Sequence, residues 1–205
     1  MVRPKNIVII GGGSGIGLAT AKKVLMDSTV KNVIISSRNL EKLNCAKESL
    51  NDNRVHVATI DISNVKSHKQ FMIDVNEMIN DCVDGVIISS GLDFDGSNWK
   101  GFNISEKDYD RIMDVNLKGV FFMIRNYANY TCENHIKGNI CVVSSISAHR
   151  DLLSVYQISK NAISGIVHAY GKFLCEKGII LNCVEPGTTD GGMLKYLAAY
   201  TDGIR

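Results

Sequence analysis

The chain has only two prolines among 205 residues, Pro4 and Pro186. Both lie outside the apolar runs, so no expected strand or helix is interrupted by one. No apolar run approaches the ~20 residues that a membrane-spanning helix requires. Blocks of like charge are missing as well. Lys and Arg total 23 against 21 Asp and Glu, a net charge of +2 with the signs interspersed. Without a basic run or an acidic tail, neither a nucleic-acid partner nor a membrane-surface partner is indicated. The six cysteines (Cys45, Cys82, Cys132, Cys141, Cys175 and Cys183) form no CxxC pair, and the five histidines form no HxxxH cluster. Metal catalysis and a disulfide framework are therefore not indicated. Several of these cysteines sit in apolar runs, which predicts reduced core thiols in a cytoplasmic protein. Met1–Lys5 leads straight into the first apolar run, so no signal peptide is expected. No linker, repeat or low-complexity stretch divides the chain, and residues 1–205 are expected to form one domain.

What is present is an alternation of two periodicities. Short β-branched runs occur at Asn6–Ile10, Asn32–Ser36, Arg54–Ile60, Gly85–Ser89, Asn139–Val143 and Ile179–Val184. Between them lie helix-like segments at Leu18–Met26, Leu40–Leu50, Val65–Ile79, Ser105–His135 and Ser154–Glu176. Continuous apolar strands alternating with helices predict an α/β fold, a doubly wound parallel sheet covered on both faces.

The first unit carries a candidate anion site. Asn6–Ile10 runs into Gly11-Gly12-Gly13-Ser14-Gly15-Ile16-Gly17 and then into a helix. Strand, glycine turn and helix N-terminus place backbone N–H groups and the positive end of the helix dipole against a phosphate. Glycines permit the turn and the close approach of a pyrophosphate. The spacing here is GxxxGxG, not GxGxxG.

Further along, three positions each leave two readings open. A dinucleotide fold that prefers NAD carries an acidic residue about 20 residues beyond the glycine turn. Here Ser36-Ser37-Arg38 stands in that place, where serine hydroxyls and an arginine fork suit a 2′-phosphate, so NADP(H) is expected and NAD(H) is possible. Arg38 is alternatively a solvated loop residue. Asp61 follows the third strand and serves either an adenine amino group or the start of the next helix. Asn116 falls in an apolar stripe with Tyr109, Ile112, Met113, Leu117, Val120, Phe121 and Ile124. A buried amide there needs partners, either nearby backbone or an active site.

The strongest chemical signal is Tyr156-Gln157-Ile158-Ser159-Lys160. The spacing stacks a phenol and an ammonium on one helix face. A phenol ordinarily ionises near pH ~10, and a fixed cation beside it favours the phenolate. Such a pair can exchange a proton with an alcohol oxygen.

Taken together, these residues resemble the short-chain dehydrogenase/reductase family over nearly the whole chain. Gly11, Gly15 and Gly17 match its glycine motif, Asp61 its adenine-contacting aspartate, and Asn116 its active-site asparagine. Ser145 takes the place of its catalytic serine, with Ser144 a close rival. Tyr156 and Lys160 match its catalytic pair, and Pro186-Gly187 the turn after its sixth strand. The resemblance implies a Rossmann-type fold in which Asn116, Ser145, Tyr156 and Lys160 are catalytic. It also implies that Gly11, Ser14, Gly15, Ile16, Gly17, Ser37, Arg38, Asp61, Ile62, Gly91, Tyr156, Lys160, Pro186, Gly187, Thr188 and Thr189 hold the cofactor. The reaction implied interconverts a ketone and a secondary alcohol on a small-molecule substrate. Helices bearing Asn116 and Tyr156 would form a homodimer or homotetramer interface, with Phe122, Met123, Ile166 and Phe173 compatible with that.

Departures from the family pattern accompany the matches. Ile10 stands where threonine is usual, and Ser89-Ser90-Gly91 where the family has Asn-Ala-Gly after an asparagine. The segment Leu92–Trp99 is unusual, and the Ser145–Tyr156 interval is short. After Pro186-Gly187 only a short helix-like segment, Met193–Tyr200, is expected, with no seventh strand, an exposed edge on the sixth, and a substrate pocket open on one side. Two functions of different class compete: an active reductase, and a catalytically impaired nucleotide-binding or scaffold protein of the same fold. Another Rossmann-like binder, such as a methyltransferase, would explain the glycine turn but not the Tyr-xxx-Lys pair.

Overall fold

The computed structural model describes residues 3–92, 104–150, 154–187 and 189. Six strands form one parallel sheet in the order β3-β2-β1-β4-β5-β6. They are β1 Asn6–Ile10, β2 Asn32–Ser37, β3 Val55–Thr59, β4 Gly85–Ile88, β5 Asn139–Val143 and β6 Ile180–Val184. The order reverses at β1, which pairs with β2 on one side and β4 on the other. In doubly wound sheets the crevice beyond the carboxyl ends of the strands at such a reversal is where ligands bind. All five residues of β1 are buried, as expected of a strand covered on both faces.

Six α-helices connect the strands: α1 Gly15–Val24, α2 Leu40–Leu50, α3 His68–Ile79, α4 Glu106–Met113, α5 Val120–Glu133 and α6 Val155–Cys175. Local chemistry starts and stops them. The side chains of Asn39, Ser105 and Ser154 accept the N–H of Lys42, Asp108 and Gln157 at the starts of α2, α4 and α6. Asn51 and Asn80 end α2 and α3 in the left-handed conformation that asparagine tolerates. Helices α3, α5 and α6 pack one core through Phe71, Met72, Ile124, Tyr127 and Ile163, on the sheet face that presents Val8, Ile88 and Val142. On the opposite face α1 and α2 close a smaller core over Ile7, Ile9, Val33 and Ile35 through Ala21, Leu43 and Ala46.

Several expectations are corrected. Helix α1 begins at Gly15, three residues before the apolar pattern indicated, so Gly15 and Gly17 belong to its first turn. The segment from Val65 opens as a 3-10 turn, Val65–Ser67, before α3. The long helix from Ser105 is interrupted by a π-helical turn, Asp114–Gly119, and Tyr109 is exposed instead of sharing the buried stripe. Cys45, Cys82, Cys132 and Cys175 are exposed and so are not core thiols, whereas Cys141 and Cys183 are half-buried, with Cys183 packed against the larger core. Met123 is fully buried, which makes it core and not part of an interface. The unusual segment up to Trp99 lies, beyond Leu92, outside the described residues, as do Thr188, Met193–Tyr200 and the position of a seventh strand. Among the described residues β6 is the edge strand, and no helix is long and apolar enough to cross a membrane.

Candidate active site

The glycine turn is shaped by backbone contacts. Gly11 has φ +89, and a Cβ there would lie 2.8 Å from the backbone of Ser89 and Ser90. A Cβ on Gly17 would lie 2.2 Å from the carbonyl oxygen of Gly11, so α1 sits on the turn at a distance that only glycine allows. Gly15, at φ +52, has open space where a Cβ would be. Ser14 precedes the helix in an extended conformation without capping it, and the first turn carries no acidic residue. The first-turn N–H groups of α1 lack intrahelical acceptors and face no carboxylate from their own helix, a setting suited to a phosphate.

At the far side of the crevice, Ser37 Oγ accepts from Asn39 N at 3.4 Å. Arg38 is exposed. With Ser63, Arg111 and Val115 it lines a groove of about 560 Å³. Asp61 Oδ1 accepts from Ser63 N at 3.0 Å and from Ser63 Oγ at 2.7 Å, so this oxygen holds the local turn. Ile62 is buried, and its carbonyl pairs with His68 Nε2 at 2.8 Å. Burial pushes the His68 imidazole below its ordinary value, and a neutral ring donates from Nε2 to the carbonyl.

The third cluster brings together residues from four separated segments. Lys160 is buried, and its ammonium donates to Val143 O at 2.9 Å while standing 5.5 Å from the centroid of the Tyr156 ring. A Cβ on Gly91 would sit 3.5 Å from Lys160 Nζ and 3.8 Å from Asn116 Oδ1. Asn116 is fully buried in the π-helical turn. Its Oδ1 accepts from Leu92 N at 2.7 Å, and its Nδ2 donates to Leu92 O at 2.7 Å and Ser159 Oγ at 3.2 Å. The amide thus clamps the chain beyond β4 against α6. The turn ends on a residue with no room for a side chain: a Cβ on Gly119 would lie 2.5 Å from Ile62 O and 3.0 Å from Asp114 O. π-turns of this kind recur at functional sites.

The two rival serines are separated by their partners. Ser144 Oγ donates to Lys160 O at 3.1 Å, which makes it a brace between β5 and α6. Ser145 opens a 3-10 turn, Ile146–His149, with its Oγ accepting from Ser147 N at 3.1 Å. Ile146 N donates to Pro186 O at 3.1 Å, joining this turn to the one after β6. Gly187 and Thr189 are exposed there. The sequence reading missed Ser159, fully buried between Asn116 and the Tyr156 carbonyl, to which its hydroxyl donates at 2.6 Å. The available signal was its place three residues after Tyr156 on the buried side of α6.

Comparison with known proteins identifies the family. Residues 5–201 match the model of the short chain dehydrogenase family. The chain is 31% identical over 185 residues to the human mitochondrial dehydrogenase/reductase SDR family member 2, covering 88% of this chain and 63% of that protein. It therefore spans less than two thirds of that relative's length. It is also 31% identical over 192 residues to the L-rhamnose 1-dehydrogenase (NADP(+)) of Thermoplasma acidophilum, covering 90% of this chain and 72% of the relative. Among solved structures, an actinorhodin polyketide ketoreductase with NADPH superposes with a TM-score of 0.84 at 22% identity, over 97% of this chain and 76% of that one. That last likeness speaks to the fold. With the family model covering the whole of the sheet and both ends of the crevice, the chain belongs to the short-chain dehydrogenase/reductase family.

Proposed function

We propose that this protein is an NADP(H)-dependent oxidoreductase that interconverts a ketone and a secondary alcohol, with Tyr156 as proton donor and acceptor. The observation that carries the reading is the convergence of Lys160 Nζ, the Tyr156 ring, Gly91 and the Asn116 amide beyond the ends of β4 and β5. The cradle fits a dinucleotide. Gly15 leaves room beside the α1 N-terminus, and Gly17 lets the turn close behind it. Gly11, Ser14, Ile16 and Gly17 would hold the pyrophosphate, and Ser37 and Arg38 the 2′-phosphate. Asp61 and Ile62 would border the adenine, and Pro186, Gly187, Thr188 and Thr189 the nicotinamide. When bound, the nicotinamide supplies or accepts the hydride.

The chain's own residues account for the remaining steps. Ser145 donates a hydrogen bond to the substrate oxygen and holds it near the phenol. Tyr156 gives that oxygen a proton during reduction and takes it back during oxidation. The Lys160 ammonium favours the phenolate form and binds the nicotinamide ribose. Asn116, held through Leu92, keeps the chain beyond β4 beside the ammonium. The NADP(+) in one relative's name and the NADPH in one neighbour's title support the choice of cofactor. Residues 1–205 act as one domain in the cytoplasm. The apolar groove of Met113, Leu117, Phe121, Ala162 and Ile166 receives a second copy, giving a homodimer or homotetramer.

Fluorescence titration with NADPH and NADH, followed by NADPH oxidation against a panel of ketones, tests the reading. Wild type should bind NADPH more tightly than NADH and turn over a ketone. Tyr156→Phe should lower turnover by about 10³-fold with NADPH affinity unchanged. Wild-type turnover in that variant would overturn the assignment. Binding without turnover on any ketone would support a nucleotide-binding protein instead.

A further inference from the structure

One charged group beside this site is not used by the mechanism above. Glu185 lies immediately before Pro186-Gly187, and its two carboxylate oxygens have different partners. Oε1 accepts from Ser164 Oγ at 2.6 Å, and Oε2 pairs with His149 Nε2 at 2.8 Å. Ser164 stands one helical turn beyond Lys160 on α6, its hydroxyl 3.4 Å from Ser144 Oγ. His149 closes the 3-10 turn that Ser145 opens. One side chain therefore joins the turn carrying Ser145, the turn after β6, and the helix carrying Tyr156 and Lys160.

We propose that Glu185 is a positioning residue of the reaction: with His149 and Ser164 it latches the Ser145 turn to α6, and so sets Ser145 against Tyr156. This rests on the reading of Ser145 and Tyr156 given under Proposed function. Backbone bonds alone tie β5 to β6 here, from Ser144 N to Val184 O at 2.8 Å and from Ile146 N to Pro186 O at 3.1 Å. Neither reaches α6. The helix is reached by Ser144 Oγ, which donates to Lys160 O, by Lys160 Nζ on Val143 O, by Asn161 Nδ2 on Ala148 O at 3.0 Å and Gln157 Nε2 on Arg150 O, and by the carboxylate through Ser164. The carboxylate is the tie among these that also holds the turn after β6, since Glu185 itself belongs to it. Proton assignments are mutually consistent, since Ser144 gives its proton to the Lys160 carbonyl and Ser164 gives its proton to Glu185. The side chain thus accepts from Ser164 through one oxygen and pairs with the His149 ring through the other. The hydrogen bond from Ser164, and after it that from His149, hold the Glu185 carboxyl below its ordinary value against partial desolvation.

An exposed ion pair contributes little to stability, so the latch is expected to act on geometry. Small misplacements of reacting groups lower rates steeply. The distinguishing signature is a fall in kcat without a matching change in cofactor binding.

The test uses the full chain with NADPH and 2,3-butanedione as probe ketone, alongside amide hydrogen exchange. Glu185→Ala should speed exchange across 145–149 by about ten-fold while β1 and β2 are unchanged. It should lower kcat by about ten-fold with KM for NADPH within about two-fold. His149→Ala should do the same, and the double variant should be no worse than either single one, as expected of a shared interaction. Glu185→Gln, which keeps the reach and an acceptor for Ser164, should restore most of kcat. If Glu185→Ala does not fold, Ser164→Ala opens the α6 arm and reads the same exchange. Unchanged exchange across 145–149, or additive effects of His149→Ala and Glu185→Ala, would overturn the latch. A wild type that binds NADPH but reduces no ketone would sink the functional reading, and the exchange data would still decide the latch.

Discussion

The two faces of the sheet differ along the same strands. On one face the paired residues Ser36, Ile10, Ile88 and Val142 remain buried from β2 to β5. On the other, Ile35 and Ile9 are fully buried, Ile87 and Cys141 are half-buried, and Asn182 is exposed. The first face carries α3, α5 and α6, which together reach every strand from β1 to β6. The second is covered by α1 and α2 over β1 to β3. Among the described residues, its β5 and β6 end has no helix against it. Burial of a strand residue here follows the helix layer above it and not its own propensity. The nucleotide end of the crevice is accordingly built by backbone pressed close under a complete layer. The end beyond β4 and β5, where Tyr156, Lys160 and Asn116 meet, relies on side-chain hydrogen bonds spanning several segments.

The largest expected effect breaks the closed layer. Gly17→Ala places a carbon against the Gly11 carbonyl, which should push α1 off β1. It should cost about 3 kcal/mol in urea unfolding and abolish NADPH binding. Gly15→Ala, with open space but a left-handed φ, should cost about 1 kcal/mol. Equal costs would show that the close approach of α1 to the turn is not what holds this face.

A graded series sharpens the comparison. Truncation along the single row should cost about 3 kcal/mol for Ile35→Ala, about 1 kcal/mol for Cys141→Ala, and at most about 0.5 kcal/mol for Asn182→Ala. A large cost at Asn182 would mean that this end of the face is covered after all.

The smallest effect lies at the edge of the closed half and depends on pH. The hydrogen bond from Arg54 holds the Asp52 carboxyl down to about 2, below its unfolded value of ~3.9. The stabilisation is complete above pH ~4 and is lost as pH falls toward about 2, because the unfolded chain takes up the proton first. Unfolding of Asp52→Asn measured at neutral pH and again near pH ~2.5 should show the difference between variant and wild type shrinking in acid.

Much of this architecture was legible in the residues. Continuous β-branched runs located β1 to β6 within a residue or so, because strands covered on both faces admit few polar side chains. Helix phase was less legible. The π-helical turn has no signature in periodicity, and Gly119 within it packs against the Ile62 carbonyl, a contact between distant segments. Tyr109 and Ile112 share the regular helix α4, yet Ile112 is buried and Tyr109 exposed, because a spacing of three leaves them at different angles to the core. The family resemblance made Met123 compatible with an interface, and the apolar runs around several cysteines suggested core thiols. Hydropathy measures preference and not the neighbours present.

Local chemistry written along the chain determined the strand–turn–helix that suits a phosphate, the Tyr156–Lys160 spacing, and the alternation that makes a doubly wound sheet. These depend on residues within a few positions of one another, where geometry follows from sequence separation. Only the tertiary structure decided which of Ser144 and Ser145 braces the helix and that Asn116 clamps Leu92. It likewise decided that Glu185 meets both His149 and Ser164. Each of those choices joins segments tens of residues apart, and a hydrogen bond between them exists only once packing has brought both ends within about 3 Å.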